Sequence, residues 1–362
     1  MGVKARVKRG TPGHSSLPCS HLRILFPLLL AAEGCQAGYV IRQGWRQLTF
    51  RSGAIAVASA DTENGVAPAT AEKLRWVPKV LEFAKRELGL EPGGSYTTFV
   101  DTRGEPVSHI VTAAHPFALI PFQWQFPFAG RVPYKGYFSE AEARAEAERL
   151  KQQGLETLVF PVAAFSTLGW FEDPVVSSML GGSIADLADV LIHETTHRTL
   201  YYPGHSSFNE SLATFVAREG TIRFLAEHPE LASLREEYLA DRRDSVERED
   251  LLLRLRKDLD ALYRSGADET RLRLRKAEIF ATAREALRAL AGSQGGGSLR
   301  ASNAAVLAVA RYHEFEPRLE LAQRRLGGHP RALVESLKEL GSGVDPLEAL
   351  LALTLEARPG AP

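Results

Sequence analysis

The chain has 362 residues, 44% of them hydrophobic and 24% charged, which supports a large folded core and excludes a disordered, collagen-like or low-complexity protein. Its 44 Lys and Arg balance 44 Asp and Glu, so no basic excess favours a nucleic-acid partner. The two cysteines, Cys19 and Cys35, are too few for a disulfide scaffold, a four-cysteine zinc site or an iron–sulfur cluster.

Residues 1–23 carry Lys4, Arg6, Lys8, Arg9 and Arg23 and no acid, and the apolar run Ile24–Ala32 follows directly. That run is far shorter than the ~20 residues a membrane-spanning helix needs. A basic segment ahead of a short apolar run is the pattern of an export signal, which places residues 1–34 in a signal peptide. The run ends in Ala32-Glu33-Gly34-Cys35, which resembles a bacterial lipobox, with Ala32 and Glu33 departing from the usual residues. The resemblance implies a lipid on Cys35 and a cell-envelope protein anchored to the membrane and facing the periplasm. Simple secretion is the alternative.

Residues 38–60 alternate between apolar and basic positions and lead into a polar loop at 61–69. Leu74, Val77, Val80, Leu81, Phe83 and Ala84 then recur at near-helical spacing, which predicts a helix over 70–90, kinked at Pro78 and stopped by Gly89. The stretch 96–165 is rich in strand-forming residues. Tyr96–Val100, Val107–Ala114 and Glu156–Val162 are its strands, and a charged helix, Glu140–Gln153, precedes the last.

From Ile184 onward the pattern is helical. Leu252, Leu255, Leu259 and Leu262 follow a 3-4-3 spacing, and Ser265-Gly266-Ala267-Asp268 breaks the run. Residues 231–291 are therefore expected to form a helical hairpin with a solvated, charge-balanced face. Gly292–Ser298 reads as a flexible loop, and residues 302–358 as short helices that complete the core. The expected fold is α+β and predominantly α-helical. It has a catalytic core over 35–230 with a small sheet packed on the helix of the motif described next, and a helical C-terminal half.

His193-Glu194-Thr195-Thr196-His197 is an H-E-x-x-H motif, preceded by a segment from Ile184 with helical spacing and no Pro or Gly. On a helix the two histidines lie one turn apart on one face, where their ring nitrogens can take neighbouring positions on a tetrahedral Zn2+. Glu194 points to the adjacent sector, the place of a general base toward water. A catalytic zinc needs a third protein ligand. Glu210, on a second helix entered through the turn 202–207, is the first candidate because a rigid helix holds ligand geometry well; His205 in the Pro-Gly loop is the competitor. A supporting carboxylate behind a zinc histidine falls to Asp186 or Glu219.

Asn209-Glu210 on a helix folding back over the first resembles the third-ligand arrangement of the gluzincins. More specifically, Tyr134-Lys135-Gly136-Tyr137-Phe138, the segment from Ser166 to Pro174, HETTH, and Phe208–Val216 with Gly220 resemble the bacterial "predicted aminopeptidase" family of zinc metallopeptidases. The similarity extends from Cys35–Tyr39 to the helices around Ser302-Asn303-Ala304 and Tyr312. It implies one zinc ion per chain on His193, His197 and Glu210, Glu194 as general base, and a peptide or protein substrate. The G-x-M-E-N sequence of the best-known gluzincin aminopeptidases is absent, which leaves exo- and endopeptidase activity open.

Peptide hydrolysis by metal-activated water also needs a donor for the developing oxyanion. Tyr201, Tyr202, Tyr134, Tyr137 and the Tyr312-His313 pair are the candidates. Tyr312 is singled out because a phenol from a C-terminal helix would close the cleft opposite the zinc helix. The segment Val162–Thr167 is the expected sheet edge for an extended substrate, with Trp170 and Phe171 beside it. The rival reading is a zinc-containing, non-catalytic binding or scaffold lipoprotein, against which the intact Glu194 argues. Oligomeric state stays open.

Overall fold

The computed structural model describes residues 53–60, 65–126, 130–162, 164, 172–291, 300–341 and 343–355. The signal segment, Cys35, the loop 292–298 and most of the expected edge segment beyond Val162 lie outside the described residues. The molecule is mostly helical with small sheets, an α+β fold dominated by helices.

Strand β1 (Ile55–Ala56) precedes helices α1 (Pro68–Leu74) and α2 (Val77–Leu88). The expected kinked helix is thus two helices. The chain turns at Arg75-Trp76 and Pro78 falls in the first turn of α2, where its missing N–H leaves no hydrogen bond unmade. Gly89 ends α2 at φ 69°, a left-handed cap that glycine adopts without strain. Strands β2 (Thr98–Val100), β3 (Ser108–Ala114), β4 (Trp124–Phe126), β5 (Gly130–Val132) and β6 (Lys135–Tyr137) follow. Helix α3 (Glu140–Gln152), capped by Ser139, then leads into β7 (Glu156–Val162) and β8 (Val175–Val176).

The largest sheet has the order β6-β3-β7, all antiparallel, with Ile110 of β3 opposite Gly136 and Phe160. Strand β7 is an edge of it, and Pro161 is tolerated there because an edge strand need not donate on both sides. In a second sheet β2 pairs antiparallel with β1 and parallel with β8, while β4 and β5 form a separate hairpin.

Helices α4 (Ile184–Thr199) and α5 (Ser206–Glu227) form the centre. A capping box starts α4: Ser183 Oγ accepts from the Asp186 N–H, and Asp186 Oδ2 accepts from the Ser183 N–H at 2.7 Å. Leu187, Leu191, Ala188 and Ile192 bury one face against α2 and α5. The close crossing depends on Gly220 of α5, where an added Cβ would meet Leu88 Cδ1 at 2.6 Å and Ile192 Cδ1 at 3.1 Å.

The hairpin is α6 (Ala232–Tyr263) and α7 (Glu269–Ala291), turning at the expected Ser265–Asp268 break. Leu251, Leu255, Leu259, Phe280 and Ala283 pack together with Val306 of α8 (Asn303–His313). Two side chains tie this unit to the large sheet. Lys276 donates to Glu156 at 2.6 Å and to the Pro116 carbonyl, and the fully buried Asn303 donates to the His115 carbonyl at 2.8 Å. Helices α9 (Glu316–Arg325), α10 (Pro330–Leu340) and α11 (Pro346–Leu355) join the main core through Leu319, Ala322, Leu333, Leu337 and Leu350.

Candidate metal centre

The last two turns of α4 present His193 and His197 to a cavity of about 160 Å3. Between them Thr195 and Thr196 are buried, and their hydroxyls donate back to the Leu191 and Ile192 carbonyls at 2.6 and 2.8 Å. The two threonines are thus satisfied within the helix, which leaves the imidazoles free to face the cavity. The chain then turns through 200–205 into α5. There Asn209 holds the peptide of Tyr202 from both sides, and the next residue, Glu210, is directed at the histidines.

The Nε2 atoms of His193 and His197 are 3.1 Å apart, and Glu210 Oε2 is 3.4 Å from each. A tetrahedral ion with ligands at about 2.0–2.1 Å holds neighbouring ligand atoms about 3.3–3.4 Å apart. The observed triangle has those dimensions. Two imidazole lone pairs and a carboxylate converging on one point repel unless protons or a cation lie between them, so the donor set suits a divalent, nitrogen-accepting ion. His197 Nδ1, the atom that carries the ring proton when Nε2 is a ligand, is buried without a hydrogen-bond partner among the described residues.

Against the opposing effect of burial, interactions with His197 and His193 hold the Glu210 carboxyl well below the usual carboxylate range. Glu194 behaves in the opposite way. Burial, reinforced by Glu210 and Asp173 and opposed by His193, pushes its carboxyl up to about 7. Tyr134, Tyr201 and Tyr312 also line the cavity. Burial first, then Glu210, raises Tyr134; for Tyr312 the Glu210 charge comes first and burial second. Both phenols therefore remain donors at neutral pH. Tyr134 already donates to Glu210 Oε1 at 3.4 Å.

The family model described as "Putative aminopeptidase" matches residues 38–348. The chain belongs to this family. The matched span includes the clustered histidines and glutamates and the three cavity-lining phenols. No curated protein and no solved structure matches the chain.

Several expected site residues are brought together in this family member and others are not. His193, Glu194, His197, Glu210 and Tyr312 share one cavity, the Tyr312 ring centroid lying 6.3 Å from that of His193. His205 caps α5 and is not among the converging donors. Tyr202 is buried beneath α5 with its hydroxyl on the Leu337 carbonyl, and Tyr137 packs under Lys135. Asp186 is occupied by the capping box, and Glu219 by Arg223 and Gln323, and no hydrogen bond joins either to His193 or His197 among the described residues. Asp189, one turn before His193, is electrostatically coupled to it and accepts from the Tyr238 hydroxyl.

His313 turns away from the cavity toward Glu249 and Glu316. These three also converge, but Arg242 bonds both carboxylates and Arg218 pairs with Glu316, so fixed cations already balance them. Of the expected substrate edge, Val162 and Ala164 line the cavity, joined by Ser108, Ile110 and Phe160. Trp170 and Phe171 lie outside the described residues. Sequence reasoning missed Arg311, which lies beside Tyr312 on α8 and also lines the cavity. A cation next to the favoured phenol on one helix was the available signal.

Proposed function

We propose that the protein is a zinc-dependent peptidase, an aminopeptidase by its family, with His193, His197 and Glu210 as the metal ligands. The observation that carries the reading is the triangle of two Nε2 atoms and one carboxylate oxygen, with Glu194 buried beside it and phenols across the cavity. When bound, zinc supplies Lewis acidity, which polarises a peptide carbonyl and makes water acidic enough to lose a proton near neutral pH.

The chain's own groups supply the rest. Glu194 in its ionised form takes a proton from the attacking water and returns it to the leaving amine. The Tyr312 hydroxyl, which has no hydrogen-bond partner among the described residues, is available to donate to the developing oxyanion. The Tyr134 hydroxyl orients the Glu210 carboxylate. Strand β7, an edge ending at the cavity, is placed to pair with an extended peptide, and Ile110, Phe160 and Val162 offer it an apolar wall.

The same proposal includes export and a lipid anchor on Cys35, supported by the basic and apolar runs ahead of it. No helix among the described residues is long and apolar enough to cross a membrane.

The deciding experiment measures metal content and peptide hydrolysis together. About one zinc per chain in the wild type and in Glu194→Gln, lost in Glu210→Ala, with hydrolysis only in the wild type, is the expected result. Zinc retained fully by Glu210→Ala, or no zinc in any form, would overturn the ligand assignment.

A further inference from the structure

Among the described residues, Arg311 is the one charged residue of the cavity that the hydrolytic machinery does not use. It is 4% exposed and lines the cavity, and its guanidinium carbon lies 4.8 Å from the centroid of the Tyr134 ring. Its backbone carbonyl accepts from Ser211, which fixes this turn of α8 against α5. Among the described residues the guanidinium has no carboxylate or carbonyl partner; the phenol face is its contact. Among the described residues the buried Lys276 is paired with Glu156, and the half-buried Arg218 with Glu316. A buried charge left without a counter-charge is costly, and its retention points to a partner that arrives with the ligand.

The chemistry of the guanidinium specifies that partner, and here the inference rests on the reading just given: a substrate carboxylate supplies the missing counter-charge, whereas a neutral carbonyl or an α-amine does not. The guanidinium fork also matches a carboxylate with two parallel hydrogen bonds.

Distance narrows the substrate class. A single phenol ring separates the guanidinium from the Glu210 carboxylate, since Tyr134 touches both. One or two residues of extended chain, at about 3.3–3.6 Å each, cover that gap. We infer that Arg311 binds the free C-terminal carboxylate of a short peptide, so that the site acts on di- and tripeptides rather than on long chains. An aminopeptidase working on a dipeptide removes its N-terminal residue while the carboxylate of the other remains on Arg311.

The test compares leucyl-leucine and leucyl-leucyl-leucine with their C-terminal amides, apolar probes chosen for the Ile110–Phe160 wall. In calorimetry on the zinc-loaded Glu194→Gln protein, which needs no turnover, the free acids should bind at least about tenfold more tightly than the amides. That preference should collapse in Glu194→Gln combined with Arg311→Gln and persist in part with Arg311→Lys, each checked for folding by its thermal transition. In the active protein the acid-to-amide ratio of kcat/KM should show the same pattern. Equal binding of acid and amide by the folded Glu194→Gln protein, or an acid preference that survives Arg311→Gln, would overturn the assignment of Arg311. Absence of zinc or of hydrolysis with the acid preference intact would instead overturn the metallopeptidase reading and leave the carboxylate site standing.

Discussion

Asn209 and Tyr202 are joined by two hydrogen bonds: the Tyr202 N–H donates to Asn209 Oδ1 at 2.9 Å, and Asn209 Nδ2 donates to the Tyr202 carbonyl at 2.8 Å. The pair is buried and closes the turn between α4 and α5, so the start of α5 is clamped relative to the end of α4. Glu210 follows Asn209 directly, and its reach to both histidines depends on that clamp.

Asn209→Ala leaves a buried peptide N–H and carbonyl unpaired, which should cost on the order of 2–4 kcal/mol of stability. Zinc affinity should fall by about 10–100-fold, the usual effect of losing a group that orients a ligand. Denaturant unfolding and a chelator-competition titration measure the two effects. A folded Asn209→Ala protein with wild-type zinc affinity would show that Glu210 is placed by other contacts.

Tyr312 and Tyr134 occupy the same cavity with different attachments. Tyr134 is bonded to Glu210, whereas the Tyr312 hydroxyl is unengaged among the described residues. Tyr312→Phe is therefore expected to lower kcat by about 100-fold or more with little change in KM and full zinc content. Tyr134→Phe should act instead through a weaker hold on the metal. Similar kcat for Tyr312→Phe and wild type would remove Tyr312 from the oxyanion role.

Glu194 links the site to stability in the metal-free protein. Its carboxyl is raised from 4.5 to about 7, chiefly by burial. Between those values the folded state binds more protons than the unfolded state, so this group's contribution falls as pH rises through the window and levels off above about 7. The loss is on the order of 3 kcal/mol at most. Glu194→Gln lacks this titration. The metal-free variant should gain stability relative to metal-free wild type between pH 5 and pH 8, as read by denaturant unfolding at both. Parallel pH profiles would show that the buried carboxyl is not destabilised by ionisation.

Gly220→Ala adds a methyl where α5 approaches Leu88 and Ile192 most closely, both fully buried. Overpacking there costs about 1–3 kcal/mol, against which the gain in helix propensity is at most about 1 kcal/mol. A net loss of about 1 kcal/mol, seen as a lower Tm, is expected. A higher Tm would show that the crossing has slack.

What the amino-acid order determined alone is what local chemistry dictates. The i, i+4 spacing of His193 and His197 places both rings on one helix face whatever surrounds it, and the bounds of β7 and the break in the α6–α7 hairpin follow from side-chain period and turn residues. Gly89 stops α2 for an equally local reason, its left-handed backbone. Pro78 shows the limit of such reasoning, since a proline is equally compatible with a kink or with the first turn of a new helix.

Tertiary structure alone decided which groups share the cavity. Tyr134 approaches from beside β6, Glu210 from α5 and Arg311 and Tyr312 from α8, and no periodicity in the chain relates positions so far apart. It also decided among look-alikes. Asp186, Asp189 and Glu219 were equally eligible by residue type; packing engages Asp186 in a helix cap and Glu219 in a salt-bridge network, and sets Asp189 one turn from His193, electrostatically coupled to it. Arg311 stayed invisible for the same reason: an arginine is normally paired or solvated, and only the packing of α8 against α5 and the sheet buries this one with a tyrosine ring as its companion.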